Sequence, residues 1–419
     1  MQPTLLPLLP DTAAFADGEL SLGGIRASEL ALEFGTPLVV YDELTLLQQA
    51  RAYRDAAPEA LVVYGTKAFP SLALLRLFAD EGLGADVSTA GELEFAQRAG
   101  IPGEKLVIHG NNKEDELLDG ATAAGALIVL DSLAELDRAL AVGATRFLIR
   151  VTPGIEADTH EAVKTAHHGS KFGLPPDDAL EALRRLDDPE GLHVHVGSQL
   201  QHFGASLMTV DWVAGFAARA RAELGWTPRI VDLGGGLGVR HVLDEPSFTI
   251  AEFVGGLVGE LGRAWELQGL PPAQLILEPG RSLVSRAGVT LYSVGGVKRA
   301  SAATTYVTVD GGMSDNPRPA MYGARYTALL ANRADEQPDG AYAVAGKHCE
   351  SGDVLIERVE LPEPERGDVL AVPVTGAYTL AMSSTYNAVP RPAAVLVRDG
   401  RARLIRRRET IDDLLAYET

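Results

Sequence analysis

Leu61-Val62-Val63-Tyr64-Gly65-Thr66-Lys67 is a short apolar run that closes on a lysine. A run that is apolar at successive positions, not every second one, is the pattern of a strand covered on both faces, as in a parallel sheet. Seven more runs of this kind follow 61–65, at 84–87, 106–109, 127–130, 146–151, 192–196, 229–233 and 274–278. Amphipathic stretches fill the gaps. Ser71 to Glu81 carries Leu72, Leu75, Leu77 and Phe78 at near-helical spacing. Thr89-Ala90-Gly91-Glu92 and Ser132-Leu133-Ala134-Glu135 have the form of capping boxes, opening helices that run to Arg98 and Val142. Thr209 to Leu224 and Ile250 to Leu267 are longer helical patterns. Eight strands alternating with helices predict a (β/α)8 barrel over 45–285.

Beyond residue 285 the pattern changes. Val289 to Val294, Thr305 to Val309, Val354 to Val359, Val369 to Val374 and Ala394 to Val397 read as strands without regular helices between them, several separated by Gly-Asp or Asp-Gly turns. This predicts a second, mainly β barrel or sandwich domain. Residues 18–41 carry strand-like signals too, so the expected organisation is a barrel at 45–285 and a β domain built from 1–44 with 286–419.

Composition bounds the partners. The 419 residues suit two domains, and a hydrophobic content of 46% supports large cores. Mean hydropathy is near zero and no apolar stretch reaches spanning length, so no membrane partner is expected. The opening Met1-Gln2-Pro3-Thr4 lacks the basic region of a secretory signal, and a single cysteine fits a reducing cytoplasm. A net charge of −20 argues against a general nucleic-acid surface. Arg406-Arg407-Arg408 is the clearest basic cluster and reads as a solvated strand end.

In such a barrel, reactive groups gather at the C-terminal ends of the strands. Lys67, His195, Gly234 and Glu278 each end or follow a predicted strand, so all four should converge on one mouth. Lys67 alone reads either as the start of a solvated loop or as an amine able to form an imine. Asp232-Leu233-Gly234-Gly235-Gly236-Leu237-Gly238 reads equally as a tight turn or as a loop whose N–H groups approach phosphate oxygens. It lacks the Gly-Lys-Ser/Thr of a nucleotide loop and fits the dinucleotide glycine spacing poorly. His193 and His195 alternate on one strand face; a satisfied core histidine is the plainer reading, and a metal pair lacks an obvious carboxylate partner, so no metal is expected. Ser198 offers a hydroxyl to a phosphate. Glu278 ends the apolar Leu275-Ile276-Leu277 and needs a cation, either a protonated ring nitrogen or Arg281. Cys349, between His348 and Glu350, is either reactive or a buried filler.

In this order the segments resemble the fold-type III pyridoxal-phosphate decarboxylases and, more narrowly, the diaminopimelate-decarboxylating branch of that family. The resemblance runs over nearly the whole chain. It rests on Tyr64-Gly65-Thr66-Lys67-Ala68-Phe69, His109-Gly110-Asn111-Asn112-Lys113, Ser170-Lys171-Phe172-Gly173, His195-Val196-Gly197-Ser198-Gln199, Gly234-Gly235-Gly236, Glu278-Pro279-Gly280-Arg281, Arg318-Pro319-Ala320-Met321-Tyr322, Cys349-Glu350-Ser351-Gly352-Asp353 and Gly376-Ala377-Tyr378. It implies that Lys67 bonds covalently to pyridoxal 5'-phosphate, with Asp86 among the cofactor-binding positions and His195 stacked on the ring. It further implies that Ser198, Gly234, Gly235, Gly236, the backbone from Glu278 through Gly280 to Arg281, and the Tyr378 hydroxyl hold the phosphate. Glu278 would keep the ring nitrogen protonated. Arg281, Arg318, Tyr322 and Glu350, with Tyr378, would grip the non-reacting end of meso-diaminopimelate. Cys349, a catalytic residue by this resemblance, and Glu350 would cross a homodimer interface. The implied activity is loss of carbon dioxide to give L-lysine in the cytoplasm.

Arg281 and Arg318 suit a distal carboxylate and would repel the terminal charge of ornithine or arginine. Carboxynorspermidine, which ends in a carboxylate, stays open. A racemase on the same barrel would lack the Cys349–Asp353 segment, and a partner-binding homologue without catalysis could dispense with Lys67, Glu278, Cys349 and Tyr378, all present here. Three stretches depart from the family pattern: Ser88-Thr89-Ala90-Gly91-Glu92-Leu93 carries an extra residue, and Lys164-Thr165-Ala166-His167-His168 and Gly346-Lys347-His348 are unusual.

Overall fold

The computed structural model describes residues 3–153, 170–200 and 204–419; the 164–168 departure therefore lies outside the described residues. The chain forms two compact units. One holds Gln49–Val239 and Ser247–Ser282; the other holds Met1–Gln48, Arg240–Pro246 and Leu283–Thr419.

The first unit is a closed barrel of eight parallel strands, Leu61–Gly65, Gly84–Val87, Leu106–Ile108, Leu127–Leu130, Phe147–Arg150, Gly191–His193, Ile230–Asp232 and Gln274–Leu277. Each pairs with its sequence neighbour, and the last closes on the first through Ile276 opposite Leu61. Strands two to seven are buried at every position, which is why no alternation shows in their sequences. Val63, Val107, Leu127, Val129, Leu148, Ile230 and Ile276 pack together in one cluster. Each such side chain contributes about 1.5–3 kcal/mol on leaving water.

The predicted helices form at Leu72–Asp80, Ala90–Arg98, Leu133–Ala141 and Ile250–Leu267. The Thr89 and Ser132 side chains accept the backbone N–H of Glu92 and Glu135 as read, but Glu92 and Glu135 reach back one residue further, to the N–H of Ser88 and Asp131. The helix expected from Thr209 starts earlier, at Gly204. The sixth strand is shorter than its apolar run. It stops at His193: Val194 still donates across to the Asp232 carbonyl, and beyond it Gly197, with φ of 151°, and Gln199, with φ of 60°, turn the chain away. His193 is therefore the last strand residue, and His195 lies in the loop beyond it.

The second unit is built on a long strand, Gly288–Arg299. It runs antiparallel to Leu38–Asp42, Thr305–Val309 and Val369–Pro373. Ala393–Arg398 adds parallel to Leu38–Asp42, and Arg401–Arg406 extends that edge. Gly340–Ala345 and Val354–Leu361 extend the other. Leu38–Asp42, from the N-terminal segment, lies within this sheet. Ala27–Phe34, within the stretch read as strand-like, is instead a helix, because Ala27, Leu30, Ala31 and Phe34 recur at helical spacing and pack into the core beneath. Among the described residues no helix is long and apolar enough to cross a membrane.

Candidate active site

Every barrel strand delivers one ionisable side chain at or just past its C-terminal end: Lys67, Asp86, His109, Asp131, Arg150, His193, Asp232 and Glu278, in strand order. All but Lys67 are buried. The Lys67 side chain is 55% exposed, and its Nζ lies 3.4 Å from Asp86 Oδ2. A half-exposed amine beside a buried carboxylate can reach a ligand in the mouth while its charge stays balanced from below.

Glu278 follows the eighth strand, which pairs with the first. Its Oε1 lies 2.5 Å from His109 Nε2 and its Oε2 lies 3.5 Å from His193 Nε2. Burial pushes the Glu278 carboxyl up, but the charge and hydrogen bond of His109, with the His193 contact, outweigh it and hold the group well below the usual carboxylate range. Burial drives His193 down to about 3, against the pull of Glu278, so this imidazole is neutral. Asp232 goes the other way. Burial first, then the neighbouring Glu278 charge, raise it well above its ordinary value. Its Oδ1 accepts the Gly234 N–H at 2.8 Å, which seats the start of the glycine loop.

The carboxylates missing from the sequence reading of His193 are thus Glu278 and Asp232, brought in from the eighth and seventh strands. Ligand atoms of His109, His193, Asp232 and Glu278 lie within 4.8 Å of one another. The 2.5 Å contact between His109 and Glu278 is nonetheless shorter than the roughly 3.3 Å between two ligands of one tetrahedral ion. These two groups are hydrogen-bonded to each other.

His195 is half-buried at the barrel mouth and accepts the Gly235 N–H at Nδ1, 3.3 Å away. Burial first, then the charges of Lys67 and Arg150, hold it well below its ordinary value, which leaves the lone pair this bond requires. The core histidine of this strand is His193, 1% exposed, and neither of its ring nitrogens has a hydrogen-bond partner among the described residues. The glycine loop is a tight turn by necessity, since a Cβ on Gly235 would lie 2.4 Å from the Glu278 carbonyl oxygen. Ser198 Oγ accepts from Arg281 Nη2 at 3.0 Å, so Arg281 turns to Ser198 while His109 takes the place beside Glu278.

The second unit carries the remaining predicted residues. Arg318 is buried, and its Nη1 donates to Tyr326 Oη at 2.6 Å and His241 Nε2 at 2.8 Å. Tyr322 is half-buried, and Glu350 is exposed and accepts from Tyr386 Oη at 3.4 Å. Cys349 is exposed, which removes the buried-filler reading. Tyr378 has φ of 58° and Val374 has φ of 59°, two left-handed residues flanking Gly376, whose Cβ would lie 1.8 Å from the Val284 carbonyl oxygen. Such strain persists only where surrounding packing imposes it.

The description "Pyridoxal-dependent decarboxylase, pyridoxal binding domain" matches residues 44–285. A diaminopimelate decarboxylase of Actinosynnema pretiosum subsp. auranticum is 47% identical over 96% of this chain and 93% of its own length. The crystal structure of diaminopimelate decarboxylase from M. jannaschii superposes with a TM-score of 0.91 at 33% identity, covering 98% of both chains. The same M. jannaschii protein in co-complex with L-lysine gives a TM-score of 0.90. The chain belongs to the diaminopimelate decarboxylase family of pyridoxal-dependent enzymes.

For a diaminopimelate decarboxylase the donor set fits the cofactor. Lys67 would supply an amine for the aldehyde, Glu278 a carboxylate for the ring nitrogen, and the glycine loop with Ser198 and Arg281 donors of the kind a phosphate takes. His109, Asp131, Arg150, Asp232 and His241 had no role in the sequence reading. The first four follow the rule that singled out Lys67: each is polar and sits at the end of an apolar run. His241 had no such signal, because the Arg240–Pro246 loop belongs to the other unit.

Proposed function

We propose that this protein decarboxylates meso-2,6-diaminopimelate to L-lysine with pyridoxal phosphate, as the last step of lysine biosynthesis. The observation that carries the reading is the placement of Lys67 and Glu278 at the ends of the first and last strands, which the closed barrel makes neighbours. Bound pyridoxal phosphate supplies an aldehyde for the substrate amine and an electron-accepting ring for the pair left when carbon dioxide departs.

The chain's residues do the rest. Lys67 holds the cofactor, and Asp86 balances the lysine's charge from below. Glu278 would accept a hydrogen bond from the ring nitrogen and keep that nitrogen protonated, which its anionic state allows. His195 presents a neutral ring face. The glycines 234–236, Ser198, Gly280, Arg281 and Tyr378 hold the phosphate. Arg281, Arg318, Tyr322 and Glu350 take the distal carboxylate and ammonium of the substrate, so the scissile bond is oriented by contacts far from it. Cys349 and Glu350 reach the site of a second copy in a cytoplasmic homodimer, with Cys349 placed to deliver the replacing proton.

Carbon dioxide release from meso-diaminopimelate, with ornithine and arginine as controls, tests the proposal. Turnover should be confined to diaminopimelate. Equal turnover of ornithine would end the distal-carboxylate argument, and a protein that never absorbs as a bound pyridoxal chromophore would end the cofactor assignment.

A further inference from the structure

A carboxylate that pairs with a protonated ring nitrogen must satisfy two demands that oppose each other. It must be buried, so that the pairing is strong, and it must stay charged, which burial resists. Glu278 is 8% exposed and follows three apolar residues, so its own strand offers nothing to hold the charge. The support comes from across the barrel. His109 follows the third strand, itself only 6% exposed, and brings Nε2 to 2.5 Å from Glu278 Oε1. His193 packs edge-on against His109, ring centroids 4.7 Å apart, and stands 3.5 Å from the second oxygen. Asp86 Oδ1 lies 3.9 Å from the same His109 nitrogen, so the imidazole has carboxylates on two sides. A neutral His193 contributes packing and a long contact. His109 alone makes the short one.

We infer that His109 is a positioning residue: it fixes the Glu278 carboxylate that serves the cofactor's ring nitrogen. The inference rests on the pyridoxal-phosphate reading above and adds to it a role for His109. Replacement by phenylalanine keeps a planar ring of similar size and removes the hydrogen bond. Glu278 is then a buried carboxyl without a short partner, which favours its protonated form, and a neutral carboxyl no longer holds the ring nitrogen in its protonated state. Glutamine restores a donor at about the reach of Nε2; asparagine is one methylene shorter and does not.

The test is a double-mutant cycle on the loaded enzyme, read by turnover and by the pH dependence of the bound cofactor's visible absorbance. His109→Phe should lower kcat by about 10- to 150-fold, the size of a lost charge-assisted hydrogen bond. In a Glu278→Gln background the same substitution should change kcat by less than about threefold, because its effect runs through a charge already gone. His109→Gln should recover most of the turnover and the wild-type absorbance profile, and His109→Asn should not. Multiplicative losses in the double variant would overturn the inference, as would wild-type turnover and spectra in His109→Phe. Should His109→Phe fail to fold, the Gln and Asn pair carries the same decision, and equal turnover of the two would overturn it. A wild-type protein that binds no pyridoxal phosphate would instead defeat the functional reading.

Discussion

Two histidines, two residues apart, do opposite work. His195 lies half-buried at the mouth and receives the Gly235 N–H; His193 is sealed beneath it against Glu278 and His109. Burying a neutral imidazole has a consequence for stability. Folded His193 titrates near 3 and an unfolded histidine near 6.5, so between those values the unfolded chain binds a proton that the native barrel refuses. The stabilisation is complete above 6.5 and is lost as pH falls toward 3, at about 1.4 kcal/mol per pH unit. His193→Gln should flatten the acid limb of a plot of unfolding midpoint against pH; an unchanged limb would mean that other groups govern it. The exposed neighbour of this cluster gives a separate prediction. Borohydride reduction of the loaded protein followed by peptide mapping should find the pyridoxyl group on Lys67, and its appearance on Lys113 or any other lysine would refute the assignment. Lys67 and Glu278 were legible because a charge at the end of an apolar run is conspicuous. The His109–Glu278 pairing was not, because its members sit 169 positions apart and nothing local to either names the other.

At the scale of elements, the glycine loop ties the seventh strand to its neighbours. Gly235 rests against the backbone of Glu278, and that neighbour is main chain, so it cannot swing aside. Gly235→Ala should therefore weaken pyridoxal phosphate binding by at least about tenfold in a fluorescence titration while the far-ultraviolet spectrum stays native. Gly215→Ala is the matched control. Its Cβ meets nothing within 4 Å, and it sits inside the Gly204–Leu224 helix, where alanine should stabilise by about 0.5–1 kcal/mol. Equal effects of the two substitutions would remove the special status of the loop. The eight strands were readable because each is a short, mostly apolar run with its charge at or near the end, and the helix caps were readable from Thr89, Ser132 and their glutamates. The ends of elements were less so. The run 192–196 keeps apolar residues to its end, yet the strand stops at His193, since hydropathy records burial and burial continues past the last strand residue into Val194 and Val196. Gly340–Ala345 escaped notice because its small residues make a weak apolar pattern, although it lies between Thr305–Val309 and Val354–Leu361; of the charged edge strand Arg401–Arg406 only the end was legible, at Arg406.

At the scale of the whole molecule, the proposed homodimer makes a quantitative claim. Lys67 and Cys349 belong to different units of the chain, and Cys349 is exposed. If each site takes Lys67 from one copy and Cys349 from the other, mixing Lys67→Ala with Cys349→Ala subunits puts about half the dimers in hetero form, each with one intact site. Activity should return to about a quarter of wild type; no return after confirmed subunit exchange would mean that the two residues act within one chain. The second unit carries a further consequence, for synthesis. Leu38–Asp42 pairs on one side with Gly288–Leu291 and on the other with Ala393–Val397. A ribosome adding about 5–20 residues per second needs roughly 20–70 s to travel from the first of these strands to the last. Throughout that interval the nascent strand offers an unpaired backbone to any other emerging copy. Soluble yield should accordingly depend on chaperone supply during translation, while the unfolding midpoint of the purified protein stays the same.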